Sequence, residues 1–90
     1  MTAVAEKFAV RVMVTEAWDQ VTLAVDAATP VGELKRRALE QALQRQVRAD
    51  DYIVKFRGAL VLDESVSLGG LGAGPNAPFI VLPGHRRPVR

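Results

Sequence analysis

The sequence predicts an α+β domain in which a mixed sheet packs on one helix, in the order β-β-α-β-β-β. Three observations carry this expectation. Two segments near the N-terminus alternate apolar and polar residues with period two, a central segment keeps helical spacing, and short apolar runs between turn residues follow it. Ninety residues suit one domain and not two. At that size roughly a third of the surface of the unfolded chain stays exposed, so the core must be small.

The first strand is read from Phe8, Val10, Val12 and Val14, which alternate with Ala9, Arg11 and Met13. Thr15 to Asp19 breaks the pattern, and Val21, Leu23 and Val25 then alternate with Thr22, Ala24 and Asp26. Two strands this close form a hairpin. Thr29-Pro30 marks a helix start, because threonine can cap free first-turn amides and proline has no amide to leave unpaired there. Val31, Leu34, Ala38, Leu39, Ala42, Leu43 and Val47 form the apolar stripe; Glu33, Arg36, Arg37, Glu40, Gln41 and Gln44 fall largely on the other side, as a solvated face. Glu33 and Arg37 stand four apart in the favourable order, which adds about 0.3 kcal/mol.

Ala49-Asp50-Asp51 ends the helix. Tyr52 to Arg57 reads as a third strand with Tyr52, Val54 and Phe56 on one face, Gly58 turns the chain, and Leu60-Val61-Leu62 is a short fourth strand. Asp63-Glu64-Ser65 turns it again, a Gly-rich loop follows, and Phe79 to Leu82 forms the last strand, stopped by Pro83-Gly84. The organisation expected is a flexible N-terminus (1–7), one domain (8–83) and a basic C-terminal tail (84–90).

Composition narrows the function classes. The absence of cysteine excludes disulfides, cysteine-ligated metal sites and thiol nucleophiles, so stability must come from packing. The N-terminal residues lack the basic start and apolar stretch of a signal peptide, and no run approaches membrane-spanning length. A soluble cytoplasmic protein with no membrane insertion is expected. The net charge is +2, but the segment His85 to Arg90 alone holds three arginines, which leaves the globular part near neutral. Richness in Ala, Val, Gly and Arg, with three lysines among twelve basic residues, suits a GC-rich bacterial genome.

The order of elements, and local words within them, resemble ubiquitin-like proteins of the β-grasp fold. Val21-Thr22-Leu23-Ala24-Val25 is similar to the second strand of that family, Thr29 to Lys35 to its helix start, Phe56-Arg57-Gly58-Ala59-Leu60 to its third-strand turn, and Ser67-Leu68 to the pair before its last loop. The resemblance covers about Phe8 to Leu82. By size and setting it extends to small stand-alone bacterial ubiquitin-like proteins of the type VII secretion-associated kind. It also exposes a departure. Ubiquitin and the sulfur carriers of this fold end in Gly-Gly on a flexible tail, whereas this chain ends in Arg90. Gly84, the one candidate for a processed terminus, follows the last strand directly, and a tail of about two residues spans at most ~7 Å. The resemblance therefore implies a non-conjugated interaction module, an adaptor or accessory subunit, with a processed modifier or sulfur carrier as the alternative.

Candidate chemical sites are weak. Gly69-Gly70-Leu71-Gly72-Ala73-Gly74 has the glycines of a phosphate loop, but no lysine follows, Pro75 and Pro78 remove donors, and a strand comes next where the motif requires a helix. A tight loop with Leu68 and Leu71 in the core is expected instead. His85 is the single histidine, with no second ligand at hand, so neither metal nor other cofactor is expected. The acidic residues Asp19, Asp50, Asp51, Asp63 and Glu64 sit at turns, where they satisfy local donors. Ser65 and Ser67 have no base nearby, and no catalytic residue is assigned.

The informative feature is the sheet face turned away from the helix. If even residues of strands one and three and odd residues of strands two and five face the helix, then Arg11, Met13, Thr22, Ala24, Ile53, Lys55, Arg57, Ile80 and Leu82 face outward. Met13, Ile53, Ile80 and Leu82 are large and apolar, and the β-grasp arrangement makes their strands neighbours. A contiguous apolar patch marks a binding surface. Met13, Ile53, Lys55, Arg57, Ile80 and Leu82 are thus the expected contacts with a protein partner, or with a second copy. The other readings are a last strand that merely runs hydrophobic, or a terminal segment folded over the patch. The resemblance places Lys55 where ubiquitin has its central isoleucine, which implies that typical ubiquitin receptors do not bind. Trp18 is a further contact or packs locally. Three tail arginines are too few for strong nucleic-acid binding.

Overall fold

The computed structural model describes residues 7–44 and 47–84. The expected flexible start before Lys7 and the expected basic tail after Gly84, with His85, lie outside the described residues.

Strands β1 (Phe8–Val14) and β2 (Asp19–Val25) form the expected hairpin. Its connection is a single 3-10 turn, Thr15–Ala17, closed by the Trp18 N–H donating to Thr15 O at 3.1 Å, with Trp18 left-handed at φ 49°. β2 begins earlier than the alternation showed, because Asp19 and Gln20 pair with Val14 and Met13. On its open side the Arg37 guanidinium donates to Ala24 O at 2.9 Å, which occupies one acceptor on an edge that could otherwise template another strand.

Helix α1 (Val31–Leu43) begins differently from expectation. Pro30 is the N-cap, and the Thr29 hydroxyl turns back to accept from the Asp26 N–H at 3.1 Å. The first-turn amides find partners far along the chain: Val31 N–H donates to Val66 O at 2.9 Å and Gly32 N–H to Glu64 O at 2.8 Å. Tertiary carbonyls do the work expected of a cap hydroxyl. The helix also ends sooner, at a left-handed Gln44 (φ 56°), so Val47 packs on the core from outside it and Ala49–Asp51 is a separate 3-10 turn.

Strands β3 (Tyr52–Phe56) and β4 (Ala59–Leu60) are joined by Arg57 and Gly58. Both have positive φ, 55° and 83°. That is the backbone of a type I′ hairpin, the turn whose twist matches the flanking strands. Arg57 is therefore a turn residue and not the last residue of the third strand, and the fourth strand is shorter than Leu60–Leu62. The Gly-rich segment is not wholly irregular: α2 (Leu68–Leu71) is one helical turn, capped by the Ser67 hydroxyl, which accepts from the Gly70 N–H at 3.0 Å. Leu68 is fully buried and Leu71 half-buried. β5 (Pro78–Pro83) completes the sheet.

The strand order is β2-β1-β5-β3-β4, with β1 parallel to β5 and the other pairs antiparallel. This is the mixed sheet on one helix that the sequence predicts. Val10, Val12, Leu23, Val25, Leu34, Ala38, Val54, Phe56, Leu68 and Val81, the core read from the pattern, are all buried. Phe56 and Phe79 stack with ring centroids 4.8 Å apart. One charged residue joins them. Lys35, at 1% exposure, donates from Nζ to Tyr52 O at 3.0 Å and lies 2.7 Å from Glu64 Oε1.

Candidate protein-docking face

Strand alternation decides which side chains leave the core. With Val10, Val12 and Val14 buried in β1, Arg11 and Met13 project from the opposite face, and the same logic sends Thr22, Ala24, Ile53, Lys55, Ile80 and Leu82 outward. Register then sets neighbours. Met13 lies beside Ile80 across the parallel pair, and across the antiparallel pair Ile80 faces Lys55 while Leu82 faces Ile53. Side chains paired this way have Cβ atoms about 5 Å apart, within contact. Met13, Ile80 and Lys55 thus form one row, and Leu82 and Ile53 the next. Ile80 is 39% exposed; Met13, Ile53, Lys55 and Leu82 are half-buried by one another and the sheet.

Leu60 extends the patch. It pairs with Lys55, so it faces the same way, and it is as exposed as Ile80. Sequence reasoning missed it because an apolar run of three, Leu60-Val61-Leu62, has no period that says which member points inward. Arg57 does not join the patch. Its guanidinium carbon stands 4.9 Å over the ring of Phe56, a side chain turned toward the core. The left-handed turn backbone takes Arg57 away from strand alternation.

The charge of the face is one-sided. Among the described residues, the outward strand positions carry Arg11 and Lys55 and no acid. The acidic residues are held elsewhere. Asp63 accepts from Ser65, whose hydroxyl and then whose N–H keep the carboxyl below its ordinary value. Glu64 turns inward to Lys35, and Glu16 accepts from the Tyr52 hydroxyl. Gly84 adjoins the patch: its N–H donates to Asp51 O at 2.9 Å, and a Cβ there would lie 3.2 Å from Ile53 Cδ1. Trp18 stands at the hairpin tip, 83% exposed.

No protein-family model matches the chain, and no curated protein matches it. Solved structures do. The chain is similar to the ubiquitin of Caldiarchaeum subterraneum, at 14% identity and a TM-score of 0.74, over 93% of this chain and 98% of that one. A ubiquitin-like domain of an Arabidopsis thaliana protein matches at 19% identity and a TM-score of 0.73, over 99% and 90%. A structure described as molecular mimicry of SUMO that promotes DNA repair matches at 10% identity and a TM-score of 0.73, over 88% and 94%. At these identities the likeness is one of backbone, and it agrees with the strand order and helix placement described above. The chain has the ubiquitin-like β-grasp fold.

Proposed function

We propose that the chain is a ubiquitin-like protein-interaction module, an adaptor or accessory subunit that is not conjugated to other proteins. It docks its partner on the outer sheet face. The observation that carries this reading is the register that sets Met13, Ile80, Ile53, Leu82 and Leu60 around Lys55. Apolar centres that exclude water supply most of the energy of an interface, and charges around them select the partner. With Lys55 among the apolar residues, Arg11 on the same face and no acid at its outward strand positions, the matching surface is apolar with acidic groups set opposite Lys55 and Arg11.

The alternative of a processed modifier or sulfur carrier draws less support. Such a function needs a mobile terminal glycine, and the Gly84 N–H is tied to Asp51 O. We read the protein as non-enzymatic and cytoplasmic, and place it by size and composition with small bacterial ubiquitin-like proteins, including those associated with type VII secretion. No helix among the described residues is long and apolar enough to cross a membrane. The test is the double substitution Ile53→Ser, Ile80→Ser. It is expected to keep the fold and to weaken partner binding severalfold, measured against the partner that co-purifies with the unaltered protein from its native cell.

A further inference from the structure

Strand β2 lies at one edge of the sheet, and the hydrogen bonds of β1 fix which of its backbone groups are free. Ala9 O accepts from the Asn76 N–H at 2.7 Å and the Arg11 N–H donates to Ala77 O at 3.0 Å, both on the β5 side of β1. Bonding sides alternate along a strand, so Val10 and Val12 turn toward β2 and pair with Leu23 and Val21. Gln20, Thr22 and Ala24 therefore point their N–H and C=O groups out of the sheet edge. The Arg37 guanidinium, which donates to Ala24 O at 2.9 Å from that side, agrees.

Apart from Arg37, this edge lacks the devices that keep strand edges apart. Its seven residues pair with β1 without a bulge and contain no proline or lysine. On the outer face it shows Gln20, Thr22 and Ala24, all uncharged. Arg37 takes one acceptor, and Ala24 O keeps a second lone pair. The opposite edge of the sheet, β4, has two residues and cannot seat a strand of this length. Among the edges of this chain, the one that fits β2 is β2 itself.

We propose that two copies of this chain join β2 to β2, antiparallel about a two-fold axis through Thr22, so that their sheets become continuous. Thr22 is the midpoint of the strand. The register pairs Gln20 with Ala24 of the other copy and Thr22 with its own counterpart, and the outward N–H and C=O groups of all three gain partners. Threonine opposite threonine is a favourable cross-strand pair. Charge selects a second copy over an unrelated strand. Asp19 has the parity of Val21, Leu23 and Val25, so its exposed side chain lies on the helix side of the sheet, as Arg37 does. The two-fold axis sets Asp19 of each copy opposite Val25 of the other, next to Ala24 and the Arg37 held there. Both ends of the contact then match an acid to an arginine whose pairing with Glu33, at 3.9 Å, is long. Centring the register on Ala24 would instead bring the two Arg37 side chains together. No residue of the outer-face patch lies on β2, so this proposal and the docking role fail separately.

The test uses the full chain in sedimentation velocity over about a hundredfold range of concentration, where a two-copy species is expected. Asp19→Arg sets an arginine against Arg37, and Arg37→Asp sets an aspartate against Asp19. Each variant alone should associate at least about tenfold more weakly than the parent. Mixed, the two match at both ends and should regain association as one-to-one pairs. Thr22→Lys places like charges on the axis and should stay monomeric, while Ile53→Ser, Ile80→Ser should associate as the parent does. In the pair, hydrogen exchange should slow at the amides of Gln20, Thr22 and Ala24. Circular dichroism checks each fold, and the charge-swap mixture carries the test should Thr22→Lys unfold. An unaltered chain that stays monomeric, with or without another protein on β2, would overturn the proposal. A folded Thr22→Lys that associates as the parent does, a mixture no stronger than its components, or unslowed exchange at those amides would do the same. So would association lost in Ile53→Ser, Ile80→Ser, which would move the contact to the outer face.

Discussion

A lysine at 1% exposure survives only with partners, and Lys35 has two, the Glu64 carboxylate and the Tyr52 carbonyl. Breaking a buried pair from one side leaves the other charge stranded, at a cost of several kcal/mol. Lys35→Met should therefore lower stability by about 3 kcal/mol in urea denaturation, and adding Glu64→Gln should restore much of the loss. The signal for Lys35 was in the sequence. Val31, Lys35 and Leu39 are four apart, so Lys35 lies on the apolar stripe, although the charge run around it reads as solvated. Its partner was not legible, since nothing local ties Glu64 to the helix. Two further residues make separate expectations. Trp18→Asn, which relieves the left-handed strain, should leave stability unchanged or raise it by up to about 1 kcal/mol, read from the melting midpoint. Asp63 titrates below its ordinary value because Ser65 hydrogen bonds favour the carboxylate. Its folded pKa is depressed, so any stabilisation is present above the unfolded pKa and is lost as pH falls through the folded one. Ser65→Ala should move the Asp63 titration, followed by NMR, upward toward 3.8.

Elements were legible where their signal is local. Period two gave β1 and β2, and the apolar stripe gave α1, because burial on one face writes its period directly into the sequence. Their ends were less legible. The start of α1 rests on carbonyls of Glu64 and Val66, and its end on a left-handed Gln44, neither of which local propensity announces. The turn of α2 was hidden because glycines read as a loop, while the Ser67 cap and burial of Leu68 hold it helical. Close approach explains one of those glycines. A Cβ at Gly69 would meet Ala27 Cβ at 3.0 Å and Ala27 O at 3.1 Å, where the Gly69 N–H donates to that carbonyl. Gly69→Ala should part these segments and cost about 1–2 kcal/mol by thermal melting. The seat of α1 on the sheet has its own test. Leu34 is fully buried, and Leu34→Ala should cost roughly 2–4 kcal/mol; a loss below about 0.5 kcal/mol would contradict helix-on-sheet packing.

At the scale of the whole molecule, topology turns single outward residues into a surface. Alternation alone says that Met13, Ile53, Ile80 and Leu82 point away from the core, but only the order β2-β1-β5-β3-β4 brings them together. The resemblance to ubiquitin-like proteins supplied that order from sequence, and the register bears out the outward orientation residue by residue, with Leu60 added and Arg57 removed. The result is a face of apolar side chains set around Lys55, with Arg11 as its other charge, on paired strands, and the proposed docking role rests on it. The most direct test of that role compares the unaltered chain with Ile53→Ser, Ile80→Ser in quantitative co-purification from the native cell, alongside thermal melting of both. The variant should melt cooperatively and lose the partner severalfold. A variant that melts cooperatively and retains its partner in full would contradict docking on this face.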